Sequence, residues 1–282
     1  MHLRLAAMAF AQLKTPTKIY AHTRNEGITA LEDLFDSLDT EIQEHLTEQS
    51  DQLAAKDIKA LFYTDDAYPS SLINNGKPLT PILFYWGNMQ LLSRPSVGMC
   101  GSRSASPLGL KAAHACGQEV SERKLVVVSG YAKGVDTESH LAALESGGQT
   151  TIVLAEGFNY FKLKQAFRKH FDRERVVVIS QFAPTQPWGA YAAMARNKVI
   201  YGLSKALVVV EAGERGGTLA AGEGALKEKK PLFVLNFGDD TPEGNKILLS
   251  KGGRSVKSRH ELGEALNQDL SSTTQEVELK LY

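Results

Sequence analysis

The sequence predicts an α/β protein, a doubly wound and mostly parallel sheet preceded by a small N-terminal helical domain. Three observations lead there. From Val97 onward, short runs of Val, Leu and Ile alternate with amphipathic stretches, as expected of strands buried on both faces and joined by helices. Two of these runs end in glycine-bearing corners about thirty residues apart, Gly101-Ser102-Arg103 and Ser129-Gly130-Tyr131-Ala132-Lys133-Gly134. The first sixty or so residues carry helical spacing and no convincing strand pattern.

Taken in order, residues 1–60 repeat Leu31, Leu34, Phe35 and Leu38 at helical spacing, then Ile42 and Leu46, with acidic residues between. The apolar stretch Met1–Phe10 is interrupted by His2 and Arg4 and lacks a small-residue cleavage pattern. It is also far shorter than the roughly 20 apolar residues of a membrane span. Residues 61–260 form the main domain. Its lead-in, Leu61–Leu92, is broken by Tyr68-Pro69, Pro78 and Pro81, and Ile82–Gly87 reads as an edge strand. Strands are expected at 97–100, 125–129, 151–154, 176–180, 206–211 and 232–236, and helices at 108–122, 137–146, 161–171, 191–203 and 217–229. Residues 261–282 turn polar, notably at Ser271–Gln275, and are expected to form a polar C-terminal tail, partly ordered at best.

The 282 residues contain 32 Lys+Arg and 32 Asp+Glu, for a net charge of zero. A nucleic-acid site must therefore be a local patch, since there is no global basic field. The two cysteines, Cys100 and Cys116, have no metal-ligand spacing and read as small buried residues in a reducing compartment. A cytoplasmic protein with no membrane association and no metal is expected.

In a doubly wound sheet the loops after the parallel strands gather at one edge, and ligands bind there. That edge should collect Gly101, Ser102 and Arg103 from the first corner and Gly130, Lys133 and Gly134 from the second. Lys162 and Lys164 open the expected third helix, Arg196, Asn197 and Lys198 precede the fifth strand, and Arg215, Gly216, Gly217 and Thr218 follow it. Helix N-termini present unpaired N–H groups and a positive dipole end, so glycine corners flanked by cations suit phosphate. Lys and Arg also populate ordinary solvated faces, the alternative reading of the same residues.

Several familiar chemistries are disfavoured. Gly98-Met99-Cys100-Gly101 lacks the third glycine of the dinucleotide fingerprint, because Arg103 stands there. Ser129 and Gly130 end the second strand where an acidic residue would hold a ribose. No Gly-Lys-Ser/Thr P-loop is present, and no cofactor is expected. Asp136 and His140, four residues apart, could pair catalytically, but read more simply as an N-cap and a structural histidine. Arg215-Gly216-Gly217-Thr218 followed by Glu223 resembles the nucleotide-cleaving phosphoribohydrolases of the lysine-decarboxylase-like group. There the glycines hold phosphate and a glutamate assists cleavage of the base–ribose bond.

A wider set of segments resembles the DNA-processing protein A (DprA, also called Smf) family. It comprises Asp66–Leu72, Pro81–Gly87, Gly101-Ser102-Arg103 with Gly109, and Ser129–Asp136 with His140 and Gly147-Gly148. Arg196-Asn197-Lys198-Val199-Ile200-Tyr201-Gly202-Leu203-Ser204, Val208–Ala212, Gly216–Leu219 and Gly244-Asn245 follow in order. The resemblance implies a Rossmann-like, non-enzymatic domain that binds single-stranded DNA, protects it and helps load a RecA-type recombinase during natural transformation, working as a homodimer. It implies phosphate contacts at Arg103 and at Lys162 or Lys164, with Lys133, Arg196 and Asn197 lining the same pocket. Tyr131, Phe158, Tyr160 and Phe161 are candidates for stacking on bases. The chain departs from the family pattern at Ala155-Glu156-Gly157, where Glu156 places negative charge beside a phosphate site. It departs again at Gln181 and at Leu235-Asn236-Phe237-Gly238, and the tail is too short for the winged-helix module many members carry. The alternatives are a nucleotide-binding or nucleoside-monophosphate phosphoribohydrolase-like enzyme, and a specialised paralogue that regulates another protein through its N-terminal helices.

Overall fold

Four helices come first: α1 (His2–Leu13), α2 (Pro16–Thr23), α3 (Thr29–Asp36) and α4 (Thr40–Ala54). After β1 (Lys59–Phe62), a short hairpin of β2 (Ile73–Asn74) and β3 (Lys77–Pro78), and β4 (Ile82–Gly87), the alternation begins. It runs β5 (Ser96–Cys100), α5 (Pro107–Glu122), β6 (Val126–Ser129), α6 (Val135–Glu145), β7 (Gln149–Val153) and β8 (Val176–Ser180). It continues α7 (Ala190–Leu203), β9 (Ala206–Val209), α8 (Gly217–Lys227), β10 (Leu232–Leu235), α9 (Glu243–Ser250), β11 (Arg254–Val256) and α10 (Arg259–Leu279). The structure, a computed structural model, describes the backbone of residues 1–279 and the side chains of residues 1–269.

The main sheet has nine strands in the order β1-β4-β8-β7-β6-β5-β9-β10-β11. From β8 to β11 all pairings are parallel, whereas β4 runs antiparallel to both β8 and β1. The chain builds outward from β5 through β6 and β7 to β8, then returns to build β9, β10 and β11 on the other side of β5. Loops leaving β5 and β9 therefore part in opposite directions, and the crevice between them is the topological switch point where such sheets bind ligands. The expected doubly wound architecture is the one observed.

Strand residues alternate between the faces, as a period of two requires. Cys100, Val128, Val153, Ile179, Val209 and Val234 point to one face, under α7 and α8. On the opposite face two sets of helices share the cover. Val97, Met99, Val127 and Val208 pack with Ala113, Cys116 and Val120 of α5 and with Leu262 and Leu266 of α10. Ile82, Phe84, Ile152, Val176 and Val178 pack instead with Leu5, Met8, Phe10, Ile19 and Leu31 of the N-terminal helices. In α1, Leu5 through Phe10 are all buried, so this helix is enclosed rather than amphipathic. A partner-binding role for this segment would have to use its outer helices, because α1 is already spent on the sheet.

Four differences from the sequence reading have physical causes. Ile82–Gly87 is not an edge strand: Lys59–Phe62 pairs outside it, a strand of four residues too short to show a period. The three-residue β11 was missed for the same reason. Residues 161–171 are not a helix: one short turn, Phe158–Tyr160, precedes them and another, Gln165–Phe167, lies within them. The rings of Phe158, Phe161, Phe167 and Phe171 pack among Tyr131 and Trp86, and Phe161 and Lys164 stay extended to allow it. The polar stretch after 260 enters a helix, Arg259–Leu279, whose first turns bury Leu262 and Leu266. Residues 280–282 of the expected tail lie outside the described residues.

Asn245 ties the sheet's C-terminal edge together. It is fully buried, accepts from Ala212 N–H (2.7 Å), and donates to the carbonyls of Val210 and Leu235 (both 2.8 Å). Removing it strands three buried backbone groups, each worth on the order of 1–3 kcal/mol when unpaired. The Asn245→Ala protein is expected to lose about 3 kcal/mol or more of stability in urea unfolding. A loss under about 1 kcal/mol would show that the clamp is dispensable.

Candidate anion-binding cleft at the switch point

The two corners read as twin phosphate cradles are built differently. At the start of α5 the N-terminus is already occupied. Ser106 Oγ accepts from Gly109 N–H (2.9 Å), and Ser106 donates through its N–H (2.9 Å) and its hydroxyl (2.5 Å) to Glu211. That carboxylate comes from the end of β9 and satisfies the helix end internally. At α6 the first turn carries its own anion, Asp136, which accepts from Ala132 N–H and from the Ser129 hydroxyl, each at 3.1 Å. Asp136 is thus not the N-cap, a position held by Gly134. As at α7 behind Gly189, the N-terminus of α8 is open. Gly216 caps it without a side chain, at φ +111°, a backbone conformation glycine adopts freely, and no acidic residue occupies its first turn.

Gly216, Gly217 and Thr218 of that helix line a cavity of about 500 Å³ with Gly101, Ser102 and Arg103 of the first corner and with Arg196 and Asn197 of α7. An adjoining cavity of about 290 Å³ shares Arg103, Arg196 and Trp188 and adds Lys133, Tyr131 and Glu156. A third hollow, about 430 Å³, carries Arg103 on to Lys133, Gly134 and Lys164. Arg103 therefore stands at the junction of all three, its guanidinium 4.9 Å from the Trp188 ring centroid.

Arg196 forms the floor. It is 6% exposed, and its Nη1 lies 3.7 Å from Asp136 Oδ2, an ion pair longer than a hydrogen bond. Nε and Nη1 have no hydrogen-bond partner. Burial pushes its pKa down, against the pull of Asp136. The guanidinium lies where a side chain at residue 130 would go: a Cβ on Gly130 would fall 1.4 Å from Nη1. Burial raises the Glu156 carboxyl, while Lys164 and Arg196 pull it back down.

Other expected site residues are committed to the protein or fall elsewhere. The Lys164 amine is committed to the carbonyls of Tyr131 (2.7 Å) and Ala132 (3.0 Å) and to Thr137 Oγ1 (3.1 Å), and burial lowers its pKa. Lys162 and Arg215 are exposed and line none of these cavities. Lys198 lines a separate groove on the outer side of α7. Asn197 Nδ2 donates to Gly217 O (3.0 Å), tying α7 to the α8 corner. Of the proposed stacking rings, Phe158 is buried, and Phe161 packs against Trp86, Tyr131 and Phe158. Tyr131 borders the cleft and Tyr160 is exposed. The aromatic residue the sequence reading missed is Trp188, which follows Pro187 in the loop before α7, where no period marks it.

Neither catalytic constellation is assembled. His140 is fully buried between Gly130 O (2.7 Å from Nε2) and Thr150 Oγ1 (2.6 Å from Nδ1), which is a structural role. Glu223 forms an ion pair with Lys251 and lines none of the three cavities, so it does not meet the Gly216–Gly217 corner.

Comparison with known proteins places the same region in one family. The family model described as DNA recombination-mediator protein A matches residues 59–267. The DNA processing protein DprA of Streptococcus pneumoniae is 34% identical over 198 residues, 69% of this chain and 69% of that protein. Protein Smf of Escherichia coli is 30% identical over 188 residues, and the match spans only 50% of its length. Among solved structures, the S. pneumoniae protein superposes with a TM-score of 0.68 at 28% identity, covering 93% of this chain and 91% of that one. The Helicobacter pylori protein, described for its single-stranded DNA binding mode, superposes at 0.64 and 22% identity over 75% of this chain and 96% of that one, a likeness of fold.

Buried His140 also makes stability pH-dependent. Burial holds its pKa down at about 4, below the ordinary value of about 6.5. Its neutral form therefore costs nothing above about pH 6.5. As pH falls from there toward 4, the unfolded chain gains a proton the folded one refuses, and roughly 3 kcal/mol of stability is lost. Urea unfolding across this range should show a steeper decline for the native sequence than for His140→Gln. Parallel curves would mean that His140 is not the titrating group.

Proposed function

The chain belongs to the DNA recombination-mediator protein A family and its role lies in DNA processing, and we propose that it binds single-stranded DNA in the cleft at the switch point. The observation that carries this is Arg196. A buried guanidinium with two unpaired N–H donors is costly in a folded protein, and it lines two cavities beside an open helix N-terminus and Arg103. A phosphate seated in either cavity would bring this guanidinium a second opposite charge beside Asp136, which lies 3.7 Å away. Three connected hollows suit a run of nucleotides better than one, and Trp188 supplies a ring face along the run. The phosphate contacts we assign are Arg103, Arg196, Lys133 and the Gly216–Thr218 turn. Lys162, Lys198 and Arg215 lie outside the cleft and are not among them.

Family membership also supports the finer reading: a non-enzymatic, cytoplasmic homodimer that hands the strand to a RecA-type recombinase. Among the described residues, no helix is long and apolar enough to cross a membrane.

The test is a titration of single-stranded oligonucleotides at several salt concentrations. Arg103→Ala is expected to weaken binding about equally across sequences and to reduce the salt slope by about 0.7, the share of one phosphate on a single strand. Gly130→Ala, which displaces the Arg196 guanidinium without removing a charge, should weaken binding with Arg103 intact. Unchanged affinity and slope in both variants would refute the assignment. So would release of free base from nucleoside monophosphates, abolished by Glu223→Ala.

A further inference from the structure

Outside the cleft lies a groove of about 780 Å³ between α7, α8 and the β2–β3 hairpin. Three large side chains lead to it from the cleft in steps of three residues: Trp188, Tyr191 and Met194 are 50%, 85% and 44% exposed. Single exposed apolar residues are ordinary. Here Tyr191 and Met194 occupy one face of a helix, with Trp188 just before its first turn. Trp188 borders the cleft, Tyr191 borders the groove, and Met194 borders both. The path is therefore continuous. At its far end stand Lys198 and Lys227, both exposed and without a carboxylate at ion-pair distance among the described residues. Lys230 is committed to the carbonyls of Ser204 (2.8 Å) and Gly202 (3.3 Å), and Glu228 is the groove's one carboxylate.

We propose that the groove is a second segment of the strand-binding path, in which a single strand leaving the cleft stacks a base on Tyr191, passes Met194, and sets its phosphates against Lys198 and Lys227. This rests on the single-strand reading of the cleft. The occupant is argued from charge and continuity. The cations flank the apolar face as backbone phosphates flank bases, and the same helix forms the wall of both hollows. From Tyr191 to Lys198 the helix rises about 10 Å, room for more than one nucleotide. A protein partner would find the same aromatic face but would have no use for its connection to the cleft.

The length of the bound strand distinguishes these readings. With the full chain, anisotropy titrations use oligothymidylates of about 4 and about 16 nucleotides, the range of short and long single-strand sites. Tyr191→Ala is expected to weaken the long oligonucleotide roughly tenfold and leave the short one unchanged, and Tyr191→Phe should restore the affinity, since stacking needs only the ring. Lys198→Ala should lower the salt slope for the long oligonucleotide by about 0.7. If Arg103→Ala weakens both lengths while Tyr191→Ala weakens neither, the groove extension is wrong and the cleft stands. If Arg103→Ala changes neither, the cleft reading fails and the extension with it. Self-association abolished in Tyr191→Ala with long-strand affinity intact would assign this face to a second copy of the chain and overturn the proposal.

Discussion

The cleft depends on one buried charge pair. Arg196 and Asp136 come from different helices, line the same hollow, and meet at the base of the loops after β5 and β6. Burying two charges costs several kcal/mol each, and their attraction repays this only with good geometry and further hydrogen bonds. Asp136 has these, from Ala132 N–H and Ser129. Arg196 lacks them at Nε and Nη1. The asymmetry leaves the carboxylate satisfied by the protein and the guanidinium partly reserved. Gly130 is part of the same arrangement, because only a residue without a side chain leaves room for the guanidinium.

A neutral protein can hold a polyanion through such local arrangement. Glu156 shares the cleft with Arg103, Lys133 and Arg196, but its carboxyl is partly desolvated and its pKa is pushed upward. Its repulsion of a phosphate is correspondingly reduced whenever it takes up a proton. Glu211 is spent on Ser106 at the start of α5, and Glu138, which lines the third hollow, lies 2.8 Å from His114 Nδ1. Arg103, meanwhile, rests on a ring face rather than on an anion.

Much of this was legible in the sequence. The parallel strands showed themselves because both faces are buried, which forces uninterrupted Val, Leu and Ile, and the glycine corners marked the ligand edge because strand-to-helix turns need them. Legibility failed where long-range packing overrides local period. The aromatic residues after β7 repeat at helical spacing, yet their rings pack on Trp86 and Tyr131, far away in the chain, and the backbone follows the rings. Strands of three or four residues, such as β1 and β11, are too short to display alternation. For the site, residue type and approximate place were readable, but commitment was not. Nothing in the letters separates Lys164, whose amine is bound to backbone carbonyls, from Lys133, or shows that an open helix end belongs to α8 rather than α5.

The enclosed first helix has a consequence for how the chain is made. Leu5, Met8 and Phe10 find their partners on strands that include Val176 and Val178, near the other end of the core. During synthesis at about 5–20 residues per second, α1 meets the residues of α2, α3, α4 and β1 first, whereas β8 follows it by on the order of 10–30 seconds. Through that interval Leu5, Met8 and Phe10 can already pack among Ile19, Leu31, Phe35 and Leu46, and only the apolar residues that will face Ile152, Val176 and Val178 depend on whatever shields them until β8 leaves the ribosome.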